Sequence, residues 1–165
     1  MGGSSMMKFC ALLAASLFLS VCCSTAAAQA ASAVAYSPDQ LLQLAQQMRD
    51  QAAHSKDAGT GILEKHLDCS TILAFRNRDG KAELHQQFGD VFVVLQGTAT
   101  LVTGGTIASP TTSAPGEIRG ASIQEGVRKK LQEGDIAHIP AGVPHQVLLD
   151  AGVTFTYFVV KIPQK

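Results

Sequence analysis

The sequence has no tryptophan, two tyrosines and few charges, which make up 16% of its 165 residues. Lys plus Arg and Asp plus Glu stand at 13 each, so neither sign is in excess. A nucleic-acid-binding chain shows a basic patch or stripe, and here the longest basic run is Arg128-Lys129-Lys130. No nucleic-acid partner is expected. Low charge combined with 46% hydrophobic residues excludes a disordered chain. Cysteine is scarce where it would count: of four, Cys10, Cys22 and Cys23 fall in the first thirty residues and only Cys69 lies beyond them.

Those first thirty residues also hold much of the positive mean hydropathy of +0.16. Lys8 supplies a positive charge, Phe9 to Val21 an apolar run, and Ala28-Gln29-Ala30 a small-residue site. This is the order of a secretory signal peptide, and the run is shorter than the about 20 residues of a spanning helix. Residues 1–30 are read as that signal, leaving a mature chain of 31–165, exported to a periplasmic or extracellular space and without a stable membrane anchor. Val21 before Cys22 speaks against a lipoprotein acceptor, and Met6 against N-myristoylation of Gly2. With the signal gone only Cys69 remains, so no internal disulfide forms and core packing must hold the domain together. Cys69 itself is expected to be a small buried hydrophobe.

Residues 31–58 are read as a lead followed by one amphipathic helix. Ser37-Pro38-Asp39-Gln40 offers an N-cap, a proline suited to the first helical position and a capping-box partner. Leu41, Leu44, Ala45, Met48 and Ala52 recur at helical spacing and share one face. From residue 59 the pattern changes to short stretches rich in Val, Ile, Thr and Phe, punctuated by Asp79-Gly80, Gly97, Gly104-Gly105, Gly134-Asp135 and Ala151-Gly152. DVFVVLQG and TATLVTGG are read as separate strands. Many short strands with closely spaced turns predict an all-β sandwich or barrel over 59–165. Residues 109–133, rich in Pro, Thr, Ser, Gly and charge, read as an insert whose second half is either a hairpin or a helical turn.

Two stretches carry the chemistry. Glu83 and His85 lie two apart on a predicted strand and share a face; Asp90 opens the next strand, and Gly97 follows. Further on, Gly134, Pro140, Gly142 and His145 are set at fixed spacing. This second stretch resembles the second motif of the cupin family: Gly, five residues, Pro-x-Gly, two residues, His. The first stretch keeps the spacing of the family's first motif with altered residue types: Glu83 stands where the family has His, Asp90 where it has Glu. Leu149 stands where the second motif ends in Asn.

The resemblance covers 59–165 and implies a small jelly-roll β-barrel holding a divalent metal. Carried over by position, the ligands are Glu83, His85, Asp90 and His145, an N/O set suited to Mn, Fe, Ni or Zn. His85 and His145 rank first. Asp90 ranks last, because Asp is a methylene shorter than Glu and loses about 1.5 Å of reach against metal bonds near 2.0–2.2 Å. A metal-free pocket in which Glu83 and His85 pair with each other is the alternative. His138 is expected to be a core residue or to support a ligand from behind, and His54 and His66 to be surface or satisfied histidines. Phe92, Val94, Val147, Leu149, Phe155, Tyr157 and Phe158 are the expected interior, with Leu149 giving a drier pocket wall.

Two functions stay open at this point. One is a metal-dependent enzyme of the oxygenase, decarboxylase or isomerase type acting on a small organic acid or sugar-like molecule, with an unligated Glu83 as general base. The other is a non-catalytic barrel that binds or senses a small molecule, with or without metal. Small cupins often pair, so a homodimer is the expected assembly.

Overall fold

In the computed structural model, residues 33–53, 60–65 and 69–164 are described. The signal reading of 1–30, His54 and His66 lie outside them. The helix α1 spans Pro38–Ala53. The strands are β1 (Thr60–Lys65), β2 (Ser70–Arg76), β3 (Ala82–His85), β4 (Phe88–Thr103), β5 (Thr106–Ala108), β6 (Thr111–Ala114), β7 (Glu117–Gly120), β8 (Ser122–Gln124), β9 (Val127–Gln132), β10 (Ile136–Ile139), β11 (His145–Leu148) and β12 (Phe155–Pro163). All pairings are antiparallel, and the molecule is a curled antiparallel sheet with one helix before it.

The cap of α1 forms as its sequence predicts. The Ser37 N–H donates to Gln40 Oε1 (2.8 Å) and the Gln40 N–H donates to Ser37 Oγ (3.2 Å), so each satisfies a backbone donor that the helix end would leave unpaired. Leu41 and Ala45 are buried, and with Leu44 and Met48 they pack on Leu73, Leu95 and Phe158. The helix therefore covers the outer face of the sheet, and Phe158 belongs there rather than in the interior. The cause is strand alternation: Tyr157 and Val159 take the inner face of β12, which sends Phe158 outward.

DVFVVLQG and TATLVTGG form one strand of 16 residues, β4, rather than two. Its first half pairs with β12 and β10, its second half with β9 and β11, so one strand belongs to both halves of the sheet. The change of direction occurs near Gly97, where the register with β12 also shifts between Thr156 and Tyr157. Gly97 has φ +85°, and a Cβ there would run into the Thr154 carbonyl, so only glycine serves. The insert resolves into strands β6 to β9 with no helix, its second half entering as β8 and β9. The main core joins Phe92, Val94, Leu101, Leu131, Ile139, Val147, Phe155, Tyr157 and Val159, and Leu149 packs against it without lining the cavity. Cys69 is half-buried and free.

Candidate functional site

Inside the curl lies a cavity of about 220 Å³. Its walls follow from register. On one side β2 and β12 run side by side, with Ala74 opposite Tyr157 and Ile72 opposite Val159, and these inward residues give an apolar wall. On the other side β11, β3 and β7 are neighbours, and His145, Glu83 and Arg119 fall in one row across them. Two residue pairs along, on the same face, His85 lies opposite Glu117. Asp90 enters from the start of β4, where it pairs with Lys161 of β12.

The four residues singled out from the sequence meet at this cavity. Donor atoms of Glu83, His85 and His145 lie within 4.8 Å of one another. His85 Nε2 is 3.5 Å from Glu83 Oε2 and 3.3 Å from Asp90 Oδ2, and His145 Nε2 is 3.5 Å from the same Asp90 oxygen. The shorter reach of Asp90 is thus no obstacle to meeting both imidazoles. Gly142, in left-handed conformation with φ +78°, donates its N–H to the His85 carbonyl (2.7 Å) and ties the second motif to the end of β3.

Both imidazoles are fixed from behind. His85 Nδ1 is 2.5 Å from Glu117 Oε2, and His145 Nδ1 donates to the Val143 carbonyl at 3.1 Å. Each ring therefore directs Nε2 at the cavity, the arrangement in which a second partner sets the tautomer of a metal-binding histidine. Donors bonded to one ion at 2.0–2.2 Å in tetrahedral directions stand about 3.3–3.6 Å apart, which matches the His85–Glu83, His85–Asp90 and His145–Asp90 contacts, while the wider limit of 4.8 Å among Glu83, His85 and His145 closes with a small side-chain movement. The residues present fit a divalent ion.

Cations surround the same carboxylates. Arg119 pairs with Glu83 and lies 3.7 Å from Glu117; Arg76 is 3.9 Å from Glu83 and donates through Nε to the Tyr157 hydroxyl (2.8 Å); Lys161 Nζ is 3.1 Å from Asp90 Oδ1. Burial alone would raise the Glu83 carboxyl, but the hydrogen bond to His85 and the charges of Arg119, His145 and Arg76 outweigh it and hold Glu83 down at about 2. Asp90, pushed up by burial, is held well below the usual carboxylate range by its bonds to His145 and His85 and by Lys161. His85 is pushed down by burial and more strongly up by Asp90 and Glu83, to about 9. Without metal, then, a proton on His85 sits among the carboxylates.

Glu117, Arg119, Arg76 and Lys161 were not singled out from the sequence. Arg76 continues the inward series Ile72, Ala74, and Lys161 the series Tyr157, Val159, so alternation along a known strand would have found them. Glu117 and Arg119 sit in the insert, where no motif marks them. His138 is exposed on β10 and takes no part in the site: Ala137 and Ile139 take the inner face of that strand, so alternation turns His138 to solvent.

Among solved structures the chain is similar to an uncharacterized conserved protein with a double-stranded beta-helix domain from Klebsiella pneumoniae, at 16% identity over 80% of this chain and 91% of that one, with TM-score 0.55. A protein from Bacillus halodurans matches at 14% identity over 70% of this chain and 77% of that one, TM-score 0.50. The DMSP lyase DddQ from Ruegeria pomeroyi matches at 13% identity over 64% of this chain and 46% of that one, TM-score 0.47. No protein-family model and no curated protein matches the sequence. The fold is the double-stranded β-helix, a jelly-roll barrel.

Proposed function

We propose that the chain is an exported cupin-fold protein that holds a divalent metal and a small molecule in its barrel and acts as a metal-dependent enzyme of the oxygenase, decarboxylase or isomerase type. The observation that carries this reading is the convergence of two imidazole Nε2 atoms on Glu83 and Asp90, with both Nδ1 atoms already engaged. His85, His145, Glu83 and Asp90 would hold the ion, whose contribution when bound is to polarise a substrate oxygen as a Lewis acid. Around it the apolar wall excludes water, and Glu117 and the Val143 carbonyl orient the rings. Glu83 is unsuited to general-base work, since a base functions best with a pKa near the working pH and Glu83 is held at about 2.

A second reading, a metal-free binding module, is favoured by one observation: Arg119 on Glu83 and Lys161 on Asp90 already balance those charges. Metal analysis of the purified protein separates the two. The first reading expects one ion per chain, lost in His85→Ala and His145→Ala; a wild-type protein that holds no stoichiometric ion even after loading with Mn, Fe, Ni or Zn overturns it. Export rests on residues 1–30 and is checked by N-terminal sequencing of secreted protein. Homodimer formation rests on the family resemblance and is checked by light scattering.

A further inference from the structure

The cavity's charges do not cancel. Arg76, Lys81, Arg119 and Lys161 line it against Glu83 and Asp90, and Glu117 behind His85 still leaves the cations in excess. Two of these cations have unspent capacity. Lys81 is exposed and pairs with no acid among the described residues. Lys161 Nζ is buried and, although 3.1 Å from Asp90 Oδ1, makes no aligned hydrogen bond, and neither does that oxygen. Lys161 is thus ion-paired with Asp90 but keeps unused N–H donors; buried donors left unsatisfied are costly, and a ligand anion beside them supplies acceptors. A divalent ion held by Glu83 and Asp90 would draw those carboxylates from Arg119 and Lys161 and enlarge the excess.

We infer that the cavity takes a small organic acid, its carboxylate drawn to the cations that line the cavity and its short apolar body against Ile72, Ala74 and Val159. The substrate class named here rests on the cavity reading above, and it selects an acid over a neutral sugar-like molecule. The volume of about 220 Å³ exceeds the about 150 Å³ cavity that accepts benzene, so ligands of roughly six to twelve non-hydrogen atoms fit. Charge-assisted hydrogen bonds are about twice as strong as neutral ones, so replacing the carboxylate with an amide is the sensitive change.

The test is calorimetric titration of the full mature protein with benzoate, succinate and pyruvate, each beside its neutral amide, and with inorganic phosphate, in samples whose metal content is measured. The expected result is that at least one carboxylate binds about tenfold or more tighter than its amide, with the preference reduced severalfold in Lys81→Gln, an exposed position whose circular dichroism stays native. Lys161→Gln is expected to reduce it further. Equal binding of acid and amide, no binding of any acid at tens of millimolar, or phosphate outcompeting every acid overturns the inference. Metal bound without a carboxylate preference defeats this inference alone; a carboxylate preference in protein that cannot hold metal defeats the metal reading alone.

Discussion

The two walls of the cavity are built from the same kind of strand and do opposite work. On β2 and β12 the inward residues are mostly apolar, Ile72, Ala74, Tyr157 and Val159 with Arg76 and Lys161 at the two ends, and they are continuous with a core in which Phe155 is fully buried. On β3, β7 and β11 the inward residues are Glu83, His85, Arg119 and His145, each tied to another charged or polar group. The first wall owes its rigidity to packing, which is tolerant of chemistry and intolerant of lost volume. The second owes it to a chain of ion pairs and hydrogen bonds, tolerant of small volume changes and intolerant of a missing partner. Stability and binding should therefore be separable by wall.

The strongest attempt to break that separation is Phe155→Ala. It should cost about 3–5 kcal/mol in urea unfolding, and the folded fraction should still bind metal; an equal collapse of metal affinity would join the two walls. Glu117→Gln works from the other side. Weakening the partner of His85 Nδ1 should lower metal affinity about 10–100-fold in a chelator competition, with metal-free protein keeping its far-ultraviolet spectrum.

The pH response sharpens the contrast further. His85, raised in the folded metal-free protein from 6.5 to about 9, contributes stability that is full below about 6.5 and is lost as pH rises through 9. Glu83 and Asp90, both lowered, contribute stability present above the unfolded carboxylate range and lost as pH falls through their folded values. Metal-free protein should melt highest between about pH 5 and 6.5. Metal affinity should instead climb about tenfold per unit up to about 9, because binding must expel the His85 proton. Thermal melts and chelator titrations over the same pH series check both slopes. The smallest effect lies outside both walls: Ser37→Ala removes the helix cap and should cost about 1 kcal/mol of stability, leaving metal affinity unchanged.

Much of the site could be read in advance because residue spacing sets strand faces and turns whatever side chains fill them. Gly134, Pro140, Gly142 and His145 mark a turn and the strand after it, and Glu83-x-His85 puts two donors on one face whatever their identity. The helix was legible for a local reason, since the Ser37–Gln40 cap and the Leu41–Ala45 face need no tertiary information. What could not be read came from long-range register. Glu117 reaches His85 only because β7 pairs with β3, and nothing in EIRG announces that pairing. Residue type alone puts Phe158 and His138 inward, and strand alternation turns both outward. Glycine between apolar runs reads as a turn and so divides β4 at Gly97 in the sequence, whereas here it bends a strand that continues.

That bend has a geometric result. A straight strand would separate Asp90 from Thr103 by about 40 Å, yet Asp90 touches His145, whose backbone pairs with Thr103. The strand coils until its own beginning meets the neighbour of its own end, and the cavity is the space it encircles. The spacing between the acid and the imidazole is thus set by the curvature of one continuous segment, like the gap in an open ring, and is adjusted at Gly97, a position that carries no side chain at all.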